Sequence, residues 1–189
     1  MTATRVHRGV LMASFGHVAV GMALARVSAR DTPTRSLAPR MLACAALALL
    51  PDADVVAFAL GIPYAATWGH RGASHSLVLA AAVALGVALL TRAVGGPARS
   101  AGLLTLLAVG SHGPLDAMTT GGLGPALLWP FEQARHFFPW RPIPVAPIGG
   151  GMLSARGVYV VAVEALLFLP FWAYALWPRR RRPTGAQES

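Results

Sequence analysis

Long apolar segments dominate this chain and leave few folds open to it. Hydrophobic residues make up 55% of the sequence, charged residues only 12%, and the mean hydropathy is +0.55, a balance far from that of soluble domains. A helix needs about 20 predominantly apolar residues to cross a bilayer. We therefore predict an all-α, polytopic membrane bundle of about five transmembrane helices, some of them short or broken. The five segments are residues 12–28, 40–61, 74–94, 101–118 and 157–177.

The distribution of arginine predicts how these segments are oriented. The net charge is +9, but the arginines lie at the ends of apolar segments and in the tail, where the positive-inside rule explains them. Nucleic acid is therefore not an expected partner. We predict a multi-pass protein of a bacterial inner membrane, with the N-terminus outside and the C-terminus inside. The expected parts are an arm at 1–11 that is dispensable if Met12 is the start, a membrane domain at 12–178 and a basic cytoplasmic tail at 179–189.

A loop rich in glycine and proline, residues 119–156, separates the fourth and fifth segments. Aromatic side chains favour the headgroup level of a bilayer, and long loops of this kind often serve as lids. We predict a lid that admits a lipid-borne substrate from the outer leaflet. Its aromatic residues are Trp129, Phe131, Phe137, Phe138 and Trp140.

Seven ionisable side chains lie within or at the ends of the apolar segments, where an unpaired charge is costly. A lone histidine in such a position is usually a hydrogen-bonded core residue, but seven groups together indicate a polar site. In the five-span layout they all approach the outer half of the membrane. They are His17, Asp52, Asp54, His70, His75, His112 and Asp116.

Two short motifs predict local geometry. His112 and Asp116 are four residues apart, so on a helix they share a face and are able to hold one ion; the alternative is an ordinary contact between helices. Asp52 and Asp54 follow Pro51, which disrupts a helix. We expect Asp54 to turn inward as a metal ligand and Asp52 to act as ligand, base or orienting group, or to cap the next half-helix.

The segment Gly69–Ser76 presents two histidines and an arginine on one turn. Its glycines free the backbone, and Ser74 is expected to cap the third apolar helix, which would place His75 in the first helical turn. Arg71 is a candidate catalytic residue because its planar fork binds two oxygens of a phosphate or carboxylate at once. The alternative for Arg71 is an interfacial anchor.

The donor set indicates a divalent metal. Imidazoles and carboxylates without a thiolate suit Zn²⁺ first, then Mn²⁺ or Fe²⁺, and the candidates are numerous enough for one or two ions. The one cysteine, Cys44, lies in an apolar segment and is expected to be a small core residue. His7, His136 and Glu132 have weaker claims to the site. Glu164, in the last segment, is as compatible with a helix contact as with a role at the site.

The order of these motifs resembles the YdjM-like family of bacterial and archaeal membrane-bound metal-dependent hydrolases, over roughly residues 12 to 177. The resemblance rests on PDxD at 51–54, HRGxSHS at 70–76 and HxxxD at 112–116, after an early His17. It implies a bound metal and hydrolysis. The family is also described as LexA-binding, a property that none of these motifs carries over.

A fainter similarity is to zinc-dependent phospholipase C and the related single-strand nucleases. Their metals are held by an early His, an Asp, a later His and an HxxxD pair, whereas their N-terminal ligand and later HxxxE pair have no counterpart in this sequence. The similarity implies a preference for phosphoesters. The matching positions are His17, Asp54, His70 or His75, and His112 with Asp116.

The sequence thus predicts a metal-dependent hydrolase that cleaves a phosphoester of a lipid or lipid-linked substrate with metal-activated water. One alternative is a transporter that passes a metal ion or proton along the same cluster, since intramembrane ionisable residues also mark ion pathways. Another is a non-catalytic membrane assembly protein. A zinc protease of the HExxH class is excluded, because the motif does not occur. The predicted ligands are the seven ionisable residues above, with Asp52 and Arg71 in catalytic roles.

Overall fold

The computed structural model describes residues 15–29, 34–147 and 149–178, and every regular element in these ranges is helical. Thr119 and Ile143 form an isolated β-bridge, and no strand occurs within the described ranges. The predicted all-helical class is therefore confirmed. The predicted arm at the N-terminus and the basic tail lie outside the described residues.

Each of the five predicted apolar segments contains helix. Short 3-10 helices precede or interrupt several of the α-helices, and they carry part of the predicted site. The α-helices are α1 (Phe15–Val27), α2 (Thr34–Leu49), α3 (Val56–Ala59), α4 (Leu77–Ala93), α5 (Ala98–Gly110), α6 (His112–Ala117), α7 (Ala155–Leu167) and α8 (Leu169–Leu176), and the 3-10 helices are Leu50–Val55, Ala73–His75 and Gly149–Leu153.

One continuous helical stretch is long and apolar enough to cross a membrane, judged on the described residues. It runs over Leu37–Ala59, 23 residues, and 18 consecutive residues within it have a mean hydropathy of 1.8. Helices α7 and α8 qualify only as a pair, and they meet at a bend of 64°, where Pro170 stands at the start of α8 and cannot continue the hydrogen bonding of α7. Since α1 has 13 residues and α4 has 17, the predicted count of five spans is not confirmed.

The predicted break at Pro51 is a change of helix type. The chain stays helical from α2 into α3, but residues Leu50–Val55 wind as a 3-10 helix, in which neighbouring side chains are turned further apart than in an α-helix. Asp52 and Asp54 lie on this stretch. The residue that caps α3 is Val55, so the alternative of Asp52 as a helix cap is wrong.

Small residues allow α1 to approach α2 closely. A Cβ atom added at Gly21 would lie 2.6 Å from the carbonyl oxygen of Cys44, so only glycine permits this approach. Cys44 is buried in a cluster with Leu37 and Met41, which confirms its predicted place in the core. Helix α1 also contacts α8, where Arg26 donates a hydrogen bond of 2.8 Å to a backbone carbonyl.

The outer faces of the helices expose large apolar side chains. Leu90 on α4 and Leu166 on α7 are each 71% exposed, and Leu42 on α2 is 69% exposed. Exposed apolar side chains on several helices are the surface expected of helices that face lipid.

The predicted lid packs back against the helices through its backbone. The amide of Phe138 donates to the carbonyl of Ala117, and the amide of Ala126 donates to the carbonyl of Arg71. Phe131 and Trp140 remain largely exposed. The loop is therefore fixed to the turn Gly69–Ser76, here called the motif-bearing turn, while two of its aromatic side chains remain exposed.

Candidate metal centre

Four parts of the chain bring all seven predicted ligands into one region. Helix α1 supplies His17, the 3-10 stretch after α2 supplies both aspartates, the turn before α4 supplies two histidines, and α6 supplies the HxxxD pair. The close approach of α6 to the turn depends on Gly113, since a Cβ atom there would collide with the carbonyl oxygen of His75. The convergence expected from the sequence is present in the structure.

Four of these residues form a tight group, here called the inner group: Asp52, His75, His112 and Asp116. Nε2 of His75 lies 3.2 Å from Oδ2 of Asp116 and 3.6 Å from Oδ1 of Asp52. Nε2 of His112 lies 3.3 Å from Oδ1 of Asp52 and 3.7 Å from Oδ2 of Asp116. Both histidines are buried almost completely.

The spacing in the inner group fits a tetrahedral cation. Zinc bonds of about 2.0–2.1 Å to nitrogen and oxygen place neighbouring ligand atoms about 3.4 Å apart. Four contacts in the group lie between 3.2 and 3.7 Å, and one ligand atom from each residue lies within 4.8 Å of all the others. The residues therefore fit a divalent metal in size and in donor chemistry.

Hydrogen bonds fix which nitrogen each inner histidine presents. Nδ1 of His112 contacts the carbonyl oxygen of Ala48 at 2.6 Å, so Nδ1 must carry the proton. Nδ1 of His75 faces Oδ2 of Asp54 at 3.2 Å. In the neutral form of either ring Nε2 then carries the lone pair, and both Nε2 atoms face the carboxylates of the inner group.

Asp54 belongs to a second group, with His70 and His75, whose ligand atoms are also close enough for a metal. Its oxygens, however, already face several donors. Oδ1 is 2.7 Å from Nδ1 of His70, and Oδ2 accepts hydrogen bonds from the amide of Arg71 and the hydroxyl of Ser74. The oxygens of Asp54 are thus satisfied by donors of the protein, whereas the two Nε2 atoms of the inner group are not.

The turn that carries His70 and His75 has an unusual backbone. Arg71 adopts a positive φ of 60°, the left-handed region that non-glycine residues rarely occupy. Sequence reasoning missed this feature, and it was wrong about the helix cap. Ser76 caps α4 by accepting a hydrogen bond from the amide of Leu79, whereas Ser74 binds Asp54 and His75 sits in a 3-10 turn before the helix.

The side chain of Arg71 pairs with Asp116. Nε lies 3.0 Å from Oδ2, and Nη2 donates to Oδ1 at 3.2 Å, while Nη1 donates to the hydroxyl of Thr119 at 2.9 Å. The guanidinium thus holds a carboxylate of the inner group, a contact that sequence spacing did not reveal. Its predicted action on a substrate phosphate stays a prediction.

His17 lies at the edge of the inner group. Its Nε2 is 3.7 Å from Oδ1 of Asp116, and its ring stacks against the ring of His112. Nδ1 of His17 is buried without a hydrogen-bond partner in the described part of the chain. The structure therefore places His17 beside the group, in contact with two of its members.

A cavity of about 160 Å³ opens beside the inner group and is bordered by Asp52, Asp116 and Arg71. Its other wall includes Phe168 and Glu164. Glu164 is buried, and its Oε2 accepts a hydrogen bond of 3.1 Å from the amide of Gly16, the residue that precedes His17. The predicted role of Glu164 as a helix contact is therefore seen, and the residue also faces the site.

Two of the weaker sequence candidates lie outside the candidate centre. His136 and Glu132 form a partly exposed pair at 3.4 Å on the loop.

Arg135 on the same loop, which the sequence did not single out, donates to backbone carbonyls of the motif-bearing turn. Partial burial lowers the pKa of its guanidinium, an effect that Tyr64 and Asp54 oppose. The spacing of Arg135 in the sequence carried no signal for this contact.

Comparison with known proteins agrees with the motif order. The family model described as YdjM inner membrane protein matches residues 12–182. The inner membrane protein YbcI of Escherichia coli (strain K12) is 39% identical over an alignment of 158 residues, which covers 78% of this chain and 89% of YbcI. No solved structure matches the chain. Since the family match includes every residue of the candidate centre, the resemblance read from the motifs is confirmed, and the chain belongs to the YdjM family of inner membrane proteins.

Proposed function

We propose that this inner membrane protein is a metal-dependent hydrolase that cleaves a phosphoester of a lipid or lipid-linked substrate. One observation carries the proposal. Nε2 of His75 and Nε2 of His112 are buried without a well-aligned hydrogen bond within the described ranges, and both face Oδ1 of Asp52 and Oδ2 of Asp116. Buried polar atoms without hydrogen bonds are expensive, and a divalent cation between these nitrogens and carboxylates satisfies both.

The ligands in this proposal are His75, His112 and Asp116 of the inner group, with zinc preferred. Two imidazole nitrogens and one carboxylate oxygen are a donor set that zinc accepts and leave its fourth position for water, while Mn²⁺ and Fe²⁺ also bind such donors. One ion fits this group. In this proposal Asp54 and Ser74 orient His75, as the carboxylate partners of metal-bound histidines commonly do.

The chemistry follows from which residues border the cavity. When bound, the metal lowers the pKa of coordinated water enough to supply hydroxide near neutral pH. Asp52 borders the cavity and is more exposed than the two histidines of its group, which places it to accept a proton from water. Water adds across the P–O bond, so that its oxygen ends on phosphorus and a proton ends on the leaving alcohol. Arg71 opposes the negative charge that builds on the phosphoryl oxygens.

The shape of the surroundings favours a lipid substrate. The charged side of the cavity faces apolar side chains, Leu115, Ile143 and Phe168, which suits a molecule with a phosphate at one end and hydrocarbon at the other. Near the turn, Trp68 and Trp129 form an edge-on pair with ring centroids 5.4 Å apart. Aromatic pairs of this kind are common at the headgroup level.

Metal content and hydrolysis should be measured on the same purified samples. We expect wild-type protein in mild detergent to bind about one zinc per chain and to release headgroup or phosphate from lipid phosphoesters in vesicles. His112→Ala should lose both properties, because it removes a ligand nitrogen. The matched control is His136→Ala, since His136 lies outside the inner group.

Three results would count against the proposal. If wild-type protein binds no metal after incubation with zinc, the proposed centre is wrong. If His112→Ala hydrolyses the substrate as fast as wild type, His112 is not part of the centre. Uptake of metal into protein-containing vesicles, without hydrolysis of any phosphoester, would favour the transporter instead.

The membrane arrangement that accompanies this proposal has five spans, the N-terminus outside, the C-terminus inside and the active site toward the outer face. Short spans are compatible with a locally thinned bilayer. A reporter fused to the C-terminus tests the orientation. Activity of the reporter in the cytoplasm is expected, and a periplasmic signal would contradict the assignment.

A further inference from the structure

Arg135 reaches across from the loop to an array of carbonyl oxygens before and within the motif-bearing turn. Its Nη1 donates to the carbonyls of His70 and Arg71, the first at 3.3 Å. Its Nη2 donates to the carbonyls of Tyr64, Ala65 and Ala66, at 3.5, 3.4 and 3.0 Å. One side chain thus donates hydrogen bonds to five carbonyl oxygens of the segment 64–71.

The segment that Arg135 holds includes Arg71, the one non-glycine residue with a positive φ among the described residues. The carbonyl of Arg71 accepts from Arg135 and from the amide of Ala126, and Arg71 itself has the positive φ described above. Such conformations persist only where the surroundings fix them. The two hydrogen bonds on this carbonyl are a direct means of fixing it.

The conformation of Arg71 matters to both groups of the candidate centre. Its amide donates to Oδ2 of Asp54 at 3.1 Å, and its guanidinium pairs with Asp116. If the peptide at Arg71 rotated, both contacts would change together. A residue that holds this peptide therefore acts on the centre without touching it.

We propose that Arg135 is a positioning residue that sets the geometry of the metal centre by holding the carbonyls of the His70–Arg71 turn. This inference rests on the proposed function and adds to it a residue outside the motifs. The planar fork of arginine presents five N–H donors in fixed directions. Lysine carries its donors on one atom, so it is unable to reach carbonyls on both sides of the turn.

The test compares Arg135→Gln and Arg135→Lys with Arg141→Gln. Arg141 is an exposed arginine of the same loop whose guanidinium lies over the ring of Phe137, so its replacement removes the same charge. Two readouts are needed: zinc affinity by competition with a chelator, and amide hydrogen exchange over residues 64–76 in metal-free protein.

We expect Arg135→Gln to weaken zinc binding by about 10- to 100-fold, as loss of a partner that orients ligands does, and to speed exchange in the turn. Arg135→Lys should fall short of wild type in both readouts, and Arg141→Gln should match wild type. Unchanged exchange and affinity in Arg135→Gln, or full rescue by lysine, would overturn the assignment. If wild-type protein binds no zinc, the proposed function fails, whereas the exchange readout still decides the role of Arg135.

Discussion

The ring of His17 stacks face to face on the ring of His112, with centroids 3.8 Å apart and planes within 9° of each other. Two imidazolium cations at that distance in a buried site would repel strongly. At least one ring is therefore neutral, and in a neutral His112 the contact from Nδ1 to a carbonyl puts the lone pair at Nε2. A neutral His112 in this stack has the form that binds a metal.

This stack predicts different results for the two histidines. His17→Phe keeps an aromatic ring against His112 but removes the nitrogen near Asp116, so we expect zinc affinity to fall by about tenfold, as for partners outside the ligand set. His112→Ala should lose zinc altogether. Chelator competition measures both. Complete loss of zinc in His17→Phe would instead show that His17 is a ligand, as the motif order first indicated.

Metal removal should lower thermal stability. A ligand at 100 times its dissociation constant stabilises the folded state by about 2.7 kcal/mol, which for a chain of this size corresponds to a shift of several degrees in melting temperature. We expect zinc to raise the melting temperature of wild-type protein in detergent and a chelator to reverse the effect. His112→Ala should show no response to zinc; a shift of equal size in that variant would place the ion elsewhere.

Breaking the pair between Arg71 and Asp116 should be costly. Asp116→Asn leaves a buried guanidinium without its counter-charge, a loss of about 3–5 kcal/mol in comparable buried pairs. The free energy of unfolding in metal-free detergent solution is the measurement. Glu132→Gln is the control, because its partly exposed pair with His136 should contribute less than about 1 kcal/mol. Similar losses in the two variants would contradict the importance assigned to burial.

The positive φ of Arg71 predicts that glycine is the better replacement there. Arg71→Gly and Arg71→Ala both remove the guanidinium, but only alanine keeps the steric cost of the left-handed conformation. We expect the glycine variant to be more stable by about 1 kcal/mol. Equal free energies of unfolding would mean that the turn relaxes once the side chain is gone.

The two serines of the turn should respond in different ways. Ser76→Ala removes the cap of α4 and should cost about 1 kcal/mol of stability, with zinc affinity little changed. Ser74→Ala removes a donor to Asp54 and should lower zinc affinity by about tenfold with a smaller loss of stability. The opposite pattern would restore Ser74 as the cap.

The sequence allowed the centre to be predicted because its ligands are conspicuous in an apolar chain. The spacing of His112 and Asp116 and the position of Asp52 and Asp54 after Pro51 pointed to one polar region before any coordinates. The contact of Arg71 with Asp116 and the cap at Ser76 were missed, since both depend on the backbone path of a short turn. Arg135 was missed because its partners are carbonyl oxygens, which every residue has and no motif reveals.

Helix length was also only partly predictable. Hydropathy located each apolar segment, but the 64° bend between α7 and α8 follows from Pro170 at the start of α8. The five-span count assumed that an apolar segment becomes one straight helix. Adjacent short helices that fill one segment do not meet that assumption.

The 3-10 stretch after α2 has a consequence for the histidine on α6. Ala48 stands at the end of α2, just before this stretch, and Pro51, three residues ahead of it, has no N–H to give. The oxygen of Ala48 faces a side chain, since Nδ1 of His112 lies 2.6 Å away. At the junction of two helix types, a main-chain oxygen thus selects the tautomer of an imidazole on another helix.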